Sequence, residues 1–285
     1  MNVMVTGANG QLGRDLVKHL TRLGIPCIPA DVQLFDLTDA DATKAAVRSF
    51  MPDTIIHCAA YTAVDKAETE PARCCEINAV GTLNLTRAAL SVDARLCYIS
   101  TDYVFPGEGT TPYEINDRKG PRNLYGMSKL QGEEAVKALM TRYFIVRTSW
   151  VFGMNGPNFV RTMLRLGRER PRVRVVNDQI GSPTYTADLA AFLCALTSTD
   201  KFGVYHATNE GYCSWAEFAG RIFAEAGLNC AVEAIPSSAY PTLARRPLNS
   251  RLSKESITRA GLRRLPGWED ALSRFLDEMR AAGEL

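Results

Sequence analysis

The opening residues Met1-Asn-Val-Met-Val-Thr6 form a short apolar run of the kind that fills a buried parallel strand. Leu12, Leu16, Leu20 and Leu23 then recur at helical spacing. The same alternation continues down the chain. Ile25-Pro-Cys-Ile-Pro-Ala30 reads as a second strand, 41–50 as a helix and Asp53-Thr-Ile-Ile-His-Cys58 as a third strand. A helix over 76–90 takes its apolar faces from Ile77, Val80, Leu83, Leu85 and Leu90. Leu96-Cys-Tyr-Ile99 and Tyr143-Phe-Ile-Val-Arg-Thr148 are further strands, with a helix around 125–129 between them. Beyond them come strands at 173–176 and 204–207 and helices at 186–196 and 215–226. Short apolar strands alternating with amphipathic helices predict an α/β fold, a Rossmann-type doubly wound parallel sheet.

Chemistry collects at the ends of these strands. Gly7-Ala-Asn-Gly10-Gln-Leu-Gly13 follows the first strand and opens the first helix, the context that a phosphate-binding turn requires. Gly7 allows the tight turn, Gly10 lets the backbone approach a pyrophosphate, and Gly13 lets helix pack on strand. The helix N-terminus offers free N–H groups and the positive end of its dipole. The spacing is G-x-x-G-x-x-G, not G-x-G-x-x-G, so the position after an opening strand carries the argument. Asp31, about 20 residues past the glycines, can accept hydrogen bonds from an adenosine ribose. It favours NAD, because a carboxylate repels a 2′-phosphate. Arg14 argues for NADP, since a guanidinium can pair with that phosphate, and the choice stays open. Asp36-Leu37 is placed either to neighbour an adenine or to cap a helix before Asp39.

Ala59-Ala60-Tyr61-Thr62 stands at the carboxyl end of the third strand, the edge where a doubly wound sheet binds ligands. Asn78 is either a buried amide tying its helix to that loop or an exposed polar residue. In Ser100-Thr101-Asp102-Tyr103, after the fourth strand, a hydroxyl can donate to a substrate carbonyl or cap a turn. A loop over 105–123, rich in Pro and Gly, is long enough to cover a site. Tyr125-Gly-Met-Ser-Lys129 then sets a phenol and an ammonium at i and i+4 on one helix face. A nearby ammonium favours phenolate, so Lys129 is expected to draw the Tyr125 phenol down from its usual pKa of about 10.

Composition narrows the class. Of 285 residues 46% are apolar and 22% charged, an ordinary globular mix with enough chain for one or two domains. Lys+Arg 33 against Asp+Glu 31 leaves a net +2 without a basic run, so no nucleic-acid partner is expected. That slight excess suits an anionic, phosphate-bearing substrate. No apolar stretch approaches the ~20 residues of a membrane helix, and no signal peptide precedes the first strand. A cytoplasmic enzyme without a membrane partner is expected. The eight cysteines show no C-x-x-C pair and no histidine at metal-ligand spacing. Cys27, Cys58, Cys97 and the Cys74-Cys75 pair read as reduced structural thiols. His19, His57 and His206 read as structural.

Glycine turn, ribose acid, hydroxyl and Tyr-x-x-x-Lys, in that order along one sheet edge, resemble the extended short-chain dehydrogenase/reductase family. Ala59-Ala-Tyr-Thr-Ala-Val-Asp65 and Ser100-Thr-Asp-Tyr-Val-Phe105 carry the same likeness. Arg147-Thr-Ser-Trp-Val-Phe-Gly153, Asp178-Gln-Ile-Gly-Ser-Pro-Thr184 and Arg246-Pro-Leu-Asn-Ser250 extend it over essentially the whole chain, toward reductases of dTDP-linked 4-keto-6-deoxy sugars. The resemblance implies a dinucleotide-binding domain over 1–150. It also implies a smaller, partly interleaved substrate region mainly over 151–285, with some segments returning to the sheet. The implied activity is reduction of the C4 ketone of dTDP-4-dehydro-L-rhamnose to dTDP-L-rhamnose with NADPH or NADH, by a monomer or homodimer.

Carried over by motif, Tyr125 would protonate the developing alkoxide. Lys129 would lower the Tyr125 pKa and hold the nicotinamide ribose, and Thr101 would bond to the carbonyl oxygen. Cofactor contacts would come from Gly7, Gly10, Gln11, Leu12, Gly13, Asp31, Asp36, Leu37, Ala59, Ala60 and Tyr61, besides Tyr125 and Lys129. Thr62, Val64, Tyr103 and Trp150 would line the sugar pocket together with Thr101 and Tyr125. Asn158, Gln179 and Arg246 would grip the nucleotide, with Arg246 or its neighbour Arg245 meeting phosphate in bidentate fashion. Some relatives dimerise through a magnesium ion held by acidic residues. Asp15 and Asp188 stand at comparable places, but both are shorter than Glu, and no metal is expected. Two other readings are a reductase of another nucleotide-linked 4-keto-6-deoxyhexose and a non-catalytic regulatory subunit of the same fold. Intact Thr101, Tyr125 and Lys129 count against the second.

Overall fold

Six short strands set the frame: β1 (Val3–Thr6), β2 (Cys27–Ala30), β3 (Thr54–His57), β4 (Arg95–Thr101), β5 (Tyr143–Thr148) and β6 (Gly203–His206). The computed structural model, which describes residues 2–285, orders them β6-β5-β4-β3-β1-β2. Every pairing is parallel. A parallel sheet must be covered on both faces, and two sets of helices do this. On one face α1 (Gln11–Arg22) lays Leu12, Leu16 and Leu20 against Val3, Val5 and the Leu189 and Leu193 side chains of a later helix, Thr186–Thr197. Leu23, the fourth leucine of the spacing, caps α1 and is 53% exposed, so the apolar stripe ends one residue sooner than the sequence suggests. On the other face Met4, Ile55 and Leu96 meet Leu85 and Ala88 of Thr82–Leu90 and Val136 of Leu124–Leu139.

Residues beyond 150 divide between two places. Gly203–His206 adds the edge strand next to β5, in the register Val204↔Ile145, and Thr186–Thr197 packs on α1. A separate core gathers Phe152, Val160, Phe218, Trp268 and Phe275, drawing on the helices Phe159–Glu169, Trp215–Ala226 and Trp268–Ala281. The loop over 105–123 is fastened to the later chain: Leu248 and Asn249 N–H both donate to Gly107 O, and Tyr113 N–H donates to Arg251 O.

The helix expected over 76–90 is not continuous. Pro71–Cys75 is α-helical, Glu76–Gly81 is a π-helix, and α-helix resumes at Thr82. The wider turn shifts the helix register, and Asn78 is buried inside it. Gly81 completes the turn against Leu37, whose Cβ would lie 3.2 Å from an added methyl. No helix among the described residues is long and apolar enough to cross a membrane.

Candidate active site

β1 connects to the neighbour on one side through α1 and borders β3 on the other, so a crevice opens at their carboxyl ends. It widens into a cleft of about 1060 Å³ running between the sheet and the second core. The glycine turn forms one end. Gly7 takes φ +65°, and a Cβ there would lie 2.6 Å from Ala59 N. At Gly13 a Cβ would come within 2.1 Å of Gly7 O, so only glycine lets the helix start this close to the turn. Gly10 caps α1 without a side-chain bond, leaving the first-turn N–H groups to the cleft. Gly7, Gly10, Gln11, Leu12 and Gly13 all line it.

Asp31, Asp36 and Leu37 line the same end. Asp31 Oδ2 accepts from Asn9 N–H at 2.9 Å, which ties the acid to the turn. Asp36 accepts from Thr38 N–H and Oγ1, and those bonds hold its carboxyl below the usual range. The cap of the helix Ala40–Phe50 is Asp39, so Asp36 is free of that duty. Arg14 is exposed outside the lining, its Nε donating to Asn9 O at 3.2 Å. Ala59, Ala60, Thr62 and Val64 line the middle of the cleft, but Tyr61 does not. Its hydroxyl donates to Glu70 at 2.7 Å, which holds the side chain away from the cleft. Asn78 ties this loop down: its Oδ1 accepts from Tyr61 N–H at 2.8 Å while Nδ2 donates to Tyr61 O and Ser128 Oγ.

Thr101, Tyr125 and Lys129 meet at the centre of the cleft. Thr101 ends β4 and Asn123 caps the helix Leu124–Leu139, its side chain accepting from Gly126 N–H. Thr101 Oγ1 donates to Asp102 Oδ1 at 3.1 Å and accepts from Tyr103 N–H, with the Tyr125 phenol beside it in the lining. Tyr103 packs edge-on against Tyr125 with ring centroids 5.6 Å apart. The expected drop in the Tyr125 pKa is not found. Burial pushes this phenol up, and Asp102 and Tyr103 push the same way, with only Thr101 opposing. Burial acts on the lysine as well, pulling Lys129 down to about 7. Loss of water dominates over helix-face proximity here, and the phenol holds its proton firmly.

The far end of the cleft is aromatic. Trp150, in a left-handed conformation with φ 51°, stacks on Trp215 with centroids 3.6 Å apart, and Phe159 packs on Trp215. Arg246 lines the cleft; Arg245 does not. Arg246 Nη2 donates to Asp65 at 2.6 Å and Nη1 to the Tyr103 hydroxyl at 3.2 Å, so the guanidinium is fixed and partly neutralised. Asn158 lines the cleft as the cap of Phe159–Glu169, and its Nδ2 donates to Gly153 O and to Gln11. Gln179 lies outside, donating to Ser237 Oγ at 2.9 Å. The acids considered for a metal each have protein partners. Asp15 is buried and accepts from Thr186 Oγ1, while Asp188 takes two Arg274 nitrogens at 2.8 and 2.7 Å. Among the described residues no group of three acids, histidines or cysteines is placed to hold a metal.

The family described as RmlD substrate binding domain matches residues 1–281. The chain is 40% identical to dTDP-4-dehydrorhamnose reductase of Escherichia coli strain K12 over 294 aligned residues, which cover 98% of each chain. It is 40% identical to the spore coat polysaccharide biosynthesis protein SpsK of Bacillus subtilis, again over 98% of both. The chain belongs to the RmlD family. A crystal structure of dTDP-4-dehydrorhamnose reductase from Bacillus anthracis in complex with NADP superposes with a TM-score of 0.95 at 44% identity, covering 98% of this chain and 100% of that one. Like its RmlD relatives, the chain is an oxidoreductase.

Some lining residues of this RmlD protein have no role in the sequence reading. Asp102 is 4% exposed, accepts from Thr101 Oγ1 at 3.1 Å, and has no hydrogen-bond partner at Oδ2. Its place beside Thr101 in the motif is the signal that could have found it. Trp215 and Phe159 reach the cleft from helix starts far along the chain, and no local pattern marks them.

Proposed function

We infer that this protein reduces the C4 ketone of dTDP-4-dehydro-L-rhamnose to dTDP-L-rhamnose, using NADPH or NADH. The observation that carries the reading is that Thr101, Tyr125 and Lys129 line one cleft with a glycine turn whose added Cβ atoms would strike backbone. The relatives named dTDP-4-dehydrorhamnose reductase, one of them solved with NADP, support the same assignment. Gly7, Gly10 and Gly13, the first turn of α1 and Asp31 would hold the dinucleotide, and its nicotinamide supplies hydride to the ketone carbon. Tyr125 keeps its proton until negative charge grows on the C4 oxygen, then donates it there. Thr101 bonds to the same oxygen and favours the charged state over the ketone. The Lys129 ammonium stabilises the phenolate that remains. Thr62, Val64, Tyr103 and the Trp150 face shape the sugar site, and Arg246, held by Asp65, faces the diphosphate.

The test mixes purified protein with the keto sugar and either reduced nucleotide, following nicotinamide absorbance and identifying the product. Consumption with dTDP-L-rhamnose as product is expected. The Tyr125→Phe variant should lose about 10²–10⁴-fold in kcat, with dinucleotide binding nearly unchanged. Near-normal turnover in that variant removes Tyr125 as the proton donor. If the wild type binds dinucleotide yet leaves this sugar untouched, the proposed reaction is wrong.

A further inference from the structure

Lys129 carries the charge on which the reading above depends, yet no hydrogen bond or ion pair joins its ammonium to another described residue. The side chain is 2% exposed. Glu133, one turn along the same helix, is engaged elsewhere: Oε1 accepts from Ser100 and Arg147 Nε, and Oε2 from Arg147 Nη2, each at 2.7 Å. What the ammonium does meet is a ring. Lys129 Nζ lies 4.0 Å from the centroid of Tyr98, on β4 behind the cleft.

Tyr98 is fully buried and fixed at both ends of its ring. Its hydroxyl donates to the carbonyl oxygen of Lys129 at 3.2 Å, so the strand is bonded to the helix turn that carries the ammonium. Gly132 makes room for that hydroxyl, since a Cβ there would lie 2.3 Å from it. The helix therefore closes on Tyr98 at a residue without a side chain, and the ring face is left under Nζ.

We propose that the π face of Tyr98 is the seat of the Lys129 ammonium, making Tyr98 a positioning residue that keeps Lys129 charged and turned toward Tyr125. The proposal rests on the role given to Lys129 above. A ring supports a cation through its negative face without forming an ion pair. The three N–H donors stay available for a ribose hydroxyl and for the phenolate, which a carboxylate in the same place would intercept.

The other groups around Lys129 give limited support. Burial pulls the ammonium toward neutrality, and Glu133, Cys58 and Cys74 oppose this. Cys58, at the end of β3, and Cys74, from the helix Pro71–Cys75, are themselves pushed up by burial and stay thiols at neutral pH. His57 on β3 is pulled down to about 3 by burial, so it adds no second cation. Its ring lies 5.6 Å from that of Tyr98. Tyr125 shares the lysine's own helix and stays a neutral phenol.

The experiment titrates Lys129 in the ligand-free protein by carbon NMR of its side chain, with the resonance assigned by Lys129→Arg. It compares wild type, Tyr98→Phe and ring-fluorinated phenylalanines at position 98, which keep the shape and weaken the negative face. Tyr98→Phe should titrate close to wild type. Full fluorination should lower the Lys129 pKa by about one unit or more, with partial fluorination in between. The high-pH limb of the kcat profile should move down by the same amount while sugar KM stays put. An unchanged titration across the fluorinated series would show that the ring only fills space, and would overturn the proposal. The titration needs no substrate, so a failed activity assay overturns the proposed reaction and leaves this result to stand by itself.

Discussion

Asp102 holds a carboxyl beside the Thr101 hydroxyl with almost no water. Burial pushes it up to about 6, against the Ser250 and Thr101 hydroxyls beside it. An acid whose pKa is raised on folding favours the fold while it is protonated. That contribution is full below the unfolded value of 3.8 and is lost as pH rises through about 6. Asp102→Asn removes the titration. Between about pH 3 and pH 7 wild type should therefore lose roughly 3 kcal/mol of stability relative to the variant. Urea unfolding at a series of pH values measures this, and parallel curves for the two proteins would rule the carboxyl out as the titrating group. Thr101, Tyr125 and Lys129 could be picked out in the sequence because strand ends and i, i+4 spacing are local. The pKa of Tyr125 could not, because spacing sets proximity and says nothing about access to water. Tyr61 failed for a related reason: the loop was legible, but which way each side chain faces depends on the neighbour across the turn. Asp102 and Trp215 depend on what packs beside them from elsewhere in the chain.

The helix Leu124–Leu139 carries Tyr125, Lys129 and Glu133 on adjacent turns, and its seat on the sheet is set by charge as well as packing. Glu133 and Arg147 of β5 form a pair with both side chains fully buried, and Arg147 also donates to Ile115 O in the covering loop. One residue of the pair therefore connects the helix Leu124–Leu139, the sheet and the loop. Arg147→Met leaves the buried Glu133 carboxylate with only Ser100 and the longer Lys137 pair at 3.5 Å, and should cost about 3 kcal/mol of stability. Adding Glu133→Leu should recover much of that loss, because the poorly compensated charge is then gone. Chemical denaturation of the two single variants and the double variant forms the cycle. A double variant as unstable as the worse single one would mean that shape, not charge, is what the pair supplies. The strand positions of this region were legible from apolar runs alone, to within a residue or two. The π turn at Glu76–Gly81 was not, since six residues are too few to separate its period from that of an α-helix. Asn78 was the hint, a polar residue on a face that the ordinary period leaves ambiguous.

At the scale of the whole molecule two apolar cores flank one cleft, and polar links tie the elements around them together. Gln11 bonds to Asn158, Thr186 to Asp15, and Glu278 takes Lys18 at 2.8 Å together with the Tyr185 hydroxyl. A ligand that fills the cleft adds to these links. A ligand that binds only the folded state stabilises it by mass action, about 2.7 kcal/mol at a hundredfold excess over its Kd. For a chain of this size that corresponds to a rise in Tm of roughly 5–10 °C. Held as proposed, reduced dinucleotide alone would touch mainly the sheet side, where the glycine turn and Asp31 lie. A dTDP ligand added to it would reach Trp150 and Arg246 and join the two cores directly. Calorimetry should then show one sharper transition at higher temperature with both ligands than with either. NADH and NADPH run in parallel would also weigh Asp31, which faces the cleft, against Arg14, which does not. If the ligand-free protein melts in two steps and dinucleotide moves only one, residues on the sheet side unfold as a separate unit. The cleft would then be a junction between independent parts, and turnover would depend on ligands to hold it closed.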